Sequence, residues 1–226
     1  MAMSELSRTS SMTFAAVLFD MDGTLIDSRG AVERTWRNWA ARHGIDFRTL
    51  LTSAQGRRTR DTVQLFCPPS IDLNTETHEL ERREEIDAEG IVPIKGAARL
   101  LSQLPPERWA IVTSAGRRLA IHRLSAAGLP VPDVLVTAES VRHGKPDPEG
   151  YSLAAQLLGV DVRRCLVFED APAGITAGKA AGATVLAITD AQPNSVQFDV
   201  PSIANYSCVQ FVIAHDHVWI TTQSSY

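Results

Sequence analysis

The chain has 226 residues, 44% of them hydrophobic and 21% charged, enough for one well-buried core and a small second domain. Its 22 Lys and Arg stand against 26 Asp and Glu, a net charge of −4, which argues against surface-wide attraction to nucleic acid or anionic membrane. Three scattered cysteines, Cys67, Cys165 and Cys208, match neither a disulfide framework nor a zinc pattern, and a reducing cytoplasm fits them best.

Residues 1–12 are rich in Ser and Thr, lack the apolar run of a signal peptide, and read as a disordered tail. No later apolar run approaches the roughly 20 residues that cross a bilayer. Ala15 to Phe19 is short and wholly apolar and runs into Asp20, Gly23 and Thr24, the pattern of a buried strand ending in a turn. From Ser28 to about Val92 no strand-like run occurs. Val32, Trp36, Trp39 and Ala40 recur at helical spacing and His43-Gly44 closes that helix, while Asn74 is placed to cap a second helix through Glu89. The charges Glu79, Glu81, Arg82, Arg83, Glu84 and Glu85 read as its solvated face.

Three further strand-like runs follow: Trp109 to Val112 before Thr113-Ser114, Cys165 to Phe168 before Glu169-Asp170, and Thr184 to Ile188. A helix-like segment precedes each, with Pro172 at a first turn and Gly128 and Gly182 after helices. Alternating strands and helices imply a parallel sheet covered on both faces, with the ligand site beyond the carboxyl ends of its strands. The fold expected is α/β: a Rossmann-like core of residues 13–27 and 93–226, interrupted by an all-helical cap at 28–92. Gln192 to Ser207 is polar and turn-rich, and Cys208 to Ile213 is expected to complete the edge of the sheet.

The chemistry concentrates at strand ends. Asp20-Met21-Asp22 places two carboxylates on one turn, so that one can attack phosphorus while the other handles the proton of the leaving oxygen. A carboxylate facing a phosphate dianion needs a cation, and hard oxygen ligands select Mg²⁺. Alone, the pair also fits an ordinary polar turn or a calcium-like loop. Thr113 and Ser114 add a hydroxyl and backbone N–H groups for phosphate oxygens. Lys145 adds a point charge, and Glu169-Asp170 the remaining metal carboxylates. Gly174, Gly178 and Gly182 lack P-loop spacing and read as helix-to-sheet packing. His215-Asp216-His217 reads as a hairpin turn.

Phe19 to Leu25, Val112-Thr113-Ser114, Gly144-Lys145-Pro146 and Phe168 to Gly174 together resemble the four ordered motifs of the haloacid dehalogenase-like hydrolase superfamily, over about Phe14 to Thr189. The resemblance implies a covalent aspartyl-phosphate on Asp20, acid–base work by Asp22, charge stabilisation by Thr113 and Lys145, and Mg²⁺ held by Asp20, the Asp22 backbone carbonyl, Asp170 and Glu169. Gly23, Thr24, Gly56 and Ser114 are expected to contact the substrate, and Arg57 and Arg60, close to Gly56, are near enough in sequence to reach it as well. Haloacid dehalogenases lack the second aspartate, so Asp22 favours phosphoryl transfer. The chain looks most like sugar-phosphate phosphatases of the 2-deoxyglucose-6-phosphatase and glycerol-phosphatase groups, although Gln55 stands where those groups tend to carry histidine. The expected substrate is a small sugar or polyol phosphate and the expected state a monomer. The alternatives are a phosphoglycolate-type phosphatase and a mutase similar to β-phosphoglucomutase. The mutase group carries arginine three residues after a cap glycine, where this chain has Thr59 after Gly56.

Overall fold

The computed structural model describes residues 11–222 apart from 69, 193–197 and 215–216. Strand β1 (Ser11–Phe14) draws Ser11 and Met12 out of the expected tail, whose first ten residues lie outside the described part. β2 (Ala16–Phe19) is buried along its whole length, as a run of apolar residues with no polar alternation requires. β3 (Ile26–Asp27) then leads into four helices: α1 (Arg29–His43), α2 (Phe47–Ala54), α3 (Thr59–Phe66) and α4 (Leu73–Ile86). The chain returns through β4 (Val92–Pro93), which pairs antiparallel with β3 and ties the two crossings between helices and core into one ribbon.

Beyond it come α5 (Ala97–Leu101), β5 (Trp109–Val112), α6 (Arg117–Ala126), β6 (Leu135–Val136), α7 (Glu149–Leu157), β7 (Cys165–Glu169), α8 (Pro172–Ala181), β8 (Thr184–Ile188) and β9 (Ser202–Ile203). Six strands form one parallel sheet in the order β6-β5-β2-β7-β8-β9. Both faces are covered: Phe19, Ile111 and Phe168 join one apolar cluster, Leu18, Ala110 and Val167 the other. No helix among the described residues is long and apolar enough to cross a membrane.

The carboxyl-terminal strands depart from expectation. β10 (Val209–Ala214) does not extend the parallel sheet, whose edge is β9; it pairs antiparallel with β11 (His217–Thr222), which also pairs with β1. This second sheet packs Val209, Phe211 and Val218 onto the main core, burying apolar area that a bare edge strand would leave exposed. Of the expected hairpin turn, His217 belongs to β11, and His215 and Asp216 lie outside the described residues.

Helices α1 to α4, the segment expected to form a cap, share a small apolar core of Trp36, Trp39, Ala40, Leu50, Val63 and Leu80. Helix α1 closes at Gly44 in the left-handed conformation (φ 65°). Helix α4 is capped by Asp72, whose carboxylate accepts from the Thr75 N–H at 2.8 Å, and it ends at Ile86; Asn74 lies inside its first turn. The charged run of α4 is not uniformly solvated. Thr77, Leu80 and Glu84 form a buried stripe at helical spacing, and Glu84 is only 6% exposed. Glu79 and Arg83 do face solvent, Glu79 paired with both Arg83 and Arg42.

Candidate active site

Three adjacent strands of the sheet, β5, β2 and β7, end side by side, and each delivers polar groups at its carboxyl end. Asp20 follows β2, with its N–H bonded to the Phe168 carbonyl at 2.9 Å, which locks it against the end of β7. The turn after Asp20 is tight: the N–H groups of Thr24, Leu25 and Ile26 all reach the Met21 carbonyl. Gly23 adopts φ 84°, and a Cβ there would lie 2.0 Å from Asp170 Oδ2, so both backbone conformation and space require glycine. Thr24 donates to Asp170 Oδ1 at 3.3 Å and, fully buried, positions that carboxylate from behind.

Lys145 reaches into this group from the loop before α7. Its Nζ donates to Asp20 Oδ1 at 2.5 Å and to Glu169 Oε1 at 2.6 Å, with all three side chains buried. Glu169 also accepts from the Tyr151 hydroxyl at 2.8 Å and from the N–H groups of Asp170 and Ala171. Asp170 accepts from Gln192 at 2.6 Å. Asp22 points away from this cluster. Its Oδ1 accepts from the Ser28 hydroxyl at 2.6 Å and from Arg123 Nη1 at 2.9 Å, leaving the carboxylate half-buried beside a cavity. Thr113 is buried at the end of β5, and its Oγ1 accepts from the Ala115 N–H at 3.1 Å.

Burial pushes the Asp20 carboxyl up to about 7 against the opposing pull of Lys145, and it pushes Asp170 well above the ordinary carboxylate range. Burial alone would weaken the Lys145 charge, but Asp20 and Glu169 outweigh it and hold the ammonium above its usual range. Asp20, Glu169 and Asp170 each offer an oxygen, all within 4.8 Å of one another. One ammonium does not balance three buried carboxylates, and an all-oxygen donor set of this charge suits a hard cation.

The cavity over the strand ends has a volume of about 250 Å³ and lies between core and cap, with Asp20, Asp22, Thr113, Ser114 and Asp170 on one side and Trp36, Gly56, Arg57 and Glu84 on the other. Ser114 donates to the Gly56 carbonyl at 2.8 Å, so it joins cap to core as well as lining the cavity. Gly56, at φ 71°, passes so close that a Cβ would meet Ala171 Cβ at 2.8 Å. Arg57 lines the cavity, whereas Arg60 is exposed, bonds Asn74 at 2.7 Å and stands outside the lining. Arg58 pairs with Asp61 and reaches the Arg142 carbonyl, and Thr59 donates to Glu84 at 2.9 Å.

Tyr151, Gln192 and Arg123 were given no role at the site from the sequence, and Glu84 was read there as part of a solvated face. Tyr151 and Gln192 carry no local signal. Arg123 does: it sits on the same helical stripe as the buried Leu119 and Ala120, an unusual place for a charge. Glu84 gives the same sign on the Leu80 stripe of α4.

The chain is 46% identical over 175 residues to hexitol phosphatase A of Escherichia coli strain K12, covering 76% of this chain and 81% of that protein. It is 36% identical over 205 residues to 2-deoxyglucose-6-phosphate phosphatase 1 of Saccharomyces cerevisiae, covering 80% and 82%. A crystal structure of a hydrolase from Pseudomonas syringae superposes with a TM-score of 0.71 at 25% identity, over 80% of this chain and 87% of that one. A family model for haloacid dehalogenase-like hydrolases matches residues 14–182, the span that carries every strand-end group described above, and the protein belongs to that family.

Proposed function

We propose that this enzyme is a phosphatase that hydrolyses a small sugar or polyol phosphate through a covalent intermediate on Asp20. The observation that carries this reading is the pairing of a buried Asp20 carboxylate, 2.5 Å from Lys145, with a separate Asp22 carboxylate held at the wall of the same cavity. The relatives that act on hexitol and 2-deoxyglucose phosphates support the substrate class.

Asp20, Asp170 and the Asp22 carbonyl, with Glu169 beside them, would hold Mg²⁺. Bound there, it supplies the positive charge that lets a carboxylate approach a phosphate dianion. In the first step the Asp20 carboxylate attacks phosphorus, a new O–P bond forms as the ester O–P bond breaks, and Asp22 gives its proton to the leaving alkoxide. Thr113 and Lys145 stabilise the charge on the phosphoryl oxygens. In the second, Asp22 takes a proton from water, which displaces Asp20 and releases inorganic phosphate. Ser28 and Arg123 fix the Asp22 carboxylate away from the other acids, leaving it free for this proton traffic.

The test is phosphate release from a panel of polyol, sugar and glycolate phosphates with and without Mg²⁺, together with isomer analysis of a hexose 1-phosphate. Metal-dependent free phosphate from polyol or sugar esters is the expected result. Isomerisation without net phosphate release would establish the mutase instead, and absence of any metal-dependent turnover would leave a non-catalytic binding module.

The acidic cluster also predicts a stability effect. Folded Asp20 keeps its proton to about pH 7, while an unfolded aspartate loses it near 4, so the folded state binds more protons across that window. Its contribution to stability is therefore lost as pH rises from about 4 to 7 in metal-free protein. Mg²⁺ at about 100 times its dissociation constant stabilises by about 2.7 kcal/mol, a rise in Tm of about 5–10 °C. Scanning calorimetry at pH 7.5 should show that rise, and at pH 5, where Asp20 is protonated, most of it should vanish. An equal rise at both pH values would detach metal binding from this cluster.

A further inference from the structure

Arg123 and Glu84 face each other across the boundary between core and cap. Arg123, on α6, is 3% exposed, and of its three guanidinium nitrogens only Nη1 is hydrogen-bonded, to Asp22. Nε and Nη2 are buried and have no hydrogen-bond partner among the described residues. Glu84, on α4, is held by Thr59 through Oε2, while its Oε1 lies 3.8 Å from Arg123 Nη2. That separation is too long for a hydrogen bond, although both side chains line the cavity beside Asp22. Burial raises the Glu84 carboxyl above its ordinary range, as expected for a group whose charge is incompletely matched.

Two buried ionic groups thus present unmatched capacity side by side: donors on Arg123 and an acceptor on Glu84. An oxygen about 2.9 Å from each nitrogen or oxygen would bridge the gap, and it must both accept and donate. A hydroxyl does this; a methylene, ether or second carboxylate does not. We propose that Arg123 and Glu84 form a subsite for a hydroxyl of the leaving alcohol, selecting polyhydroxylated phosphate esters over alkyl ones. This rests on the phosphatase reading above and names the residues that set its substrate class. Because the same guanidinium holds Asp22, seating the hydroxyl also fixes the carboxylate that must protonate that alcohol, so recognition and proton transfer share one side chain.

The test compares kcat/KM for a hexitol 6-phosphate with that for n-hexyl phosphate, in the unaltered enzyme and in Glu84→Gln. The unaltered enzyme should prefer the hexitol ester by at least about 10-fold, since an alkyl chain leaves both buried groups unpaired. In Glu84→Gln that preference should fall by about 10-fold, carried mainly by a rise in KM for the hexitol ester. A loss shared equally by both substrates would make Glu84 a structural residue and overturn the subsite. So would an unaltered enzyme with no preference, a result that stands whether or not the variant folds. Turnover of neither ester, nor of any other phosphate ester, would overturn the phosphatase reading itself, and this subsite with it.

Discussion

An Asp20→Asn enzyme should hydrolyse no phosphate ester at a useful rate: kcat/KM is expected to fall at least about 10⁴-fold, equivalent to about 5 kcal/mol of lost transition-state stabilisation. The amide keeps the shape of the carboxylate and an oxygen that can accept from Lys145, so the packing at the end of β2 is preserved. What disappears is the charged oxygen that bonds to phosphorus. The fold should not suffer. Glu169 and Asp170 crowd Asp20 with like charge, and removing one of three buried carboxylates relieves that repulsion. The expected result is an unchanged or higher Tm beside a lost activity, measured by phosphate release and thermal unfolding. Substantial residual turnover would move the nucleophile elsewhere.

Lys145→Met should cost both activity and stability. Lys145 is 6% exposed and is the cation bonded to both Asp20 and Glu169. Methionine fills much the same volume but leaves two buried carboxylates without their partner, a change worth about 3–5 kcal/mol. For a chain of this length that corresponds to a fall in Tm of about 6–20 °C. Turnover should drop about 10²–10³-fold, as when a preorganised donor is taken from a developing anion. The stability defect has a pH signature: Asp20, already pushed up by burial and now without its counter-charge, is relieved by taking up a proton, so the variant should regain Tm relative to the unaltered protein as pH falls from about 7 to 5. A variant with unchanged Tm at pH 7 would show that Lys145 is not the counter-charge of this cluster.

The parallel core was legible because its chemistry and its burial are both local. A strand covered on two faces must be apolar at consecutive positions, and Trp109–Val112 and Thr184–Ile188 appear in the structure with the bounds their sequence implies. Asp20, Thr113, Glu169 and Asp170 were legible for a related reason. Each directly follows or ends such a run, and the carboxyl ends of parallel strands converge. The two-residue strands β3, β4, β6 and β9 gave no sign of themselves, since so few residues have no periodicity and their pairing is imposed by neighbours. In the antiparallel sheet the pairing of β10 with β11 agrees with the hairpin expected there, but the place of β1 beside β11 was missed because it joins distant ends of the chain: Ser11 pairs with Thr221.

By itself, then, the sequence determined the four inner strands of the parallel sheet, β5, β2, β7 and β8, the order of the groups at their ends and the chemistry those groups can perform, because each depends on residues a few positions apart. Only the tertiary structure decided which groups complete the site. Arg123 meets Asp22 across 101 positions, and Tyr206 donates to the Thr24 carbonyl across 182. Glu84 looks like one more charge on a polar helix until the cap closes and turns that face inward. Burial and pairing of this kind follow from packing between distant segments, which local propensity does not encode, and they are what set the charge of the acidic cluster and the shape of the cavity above it.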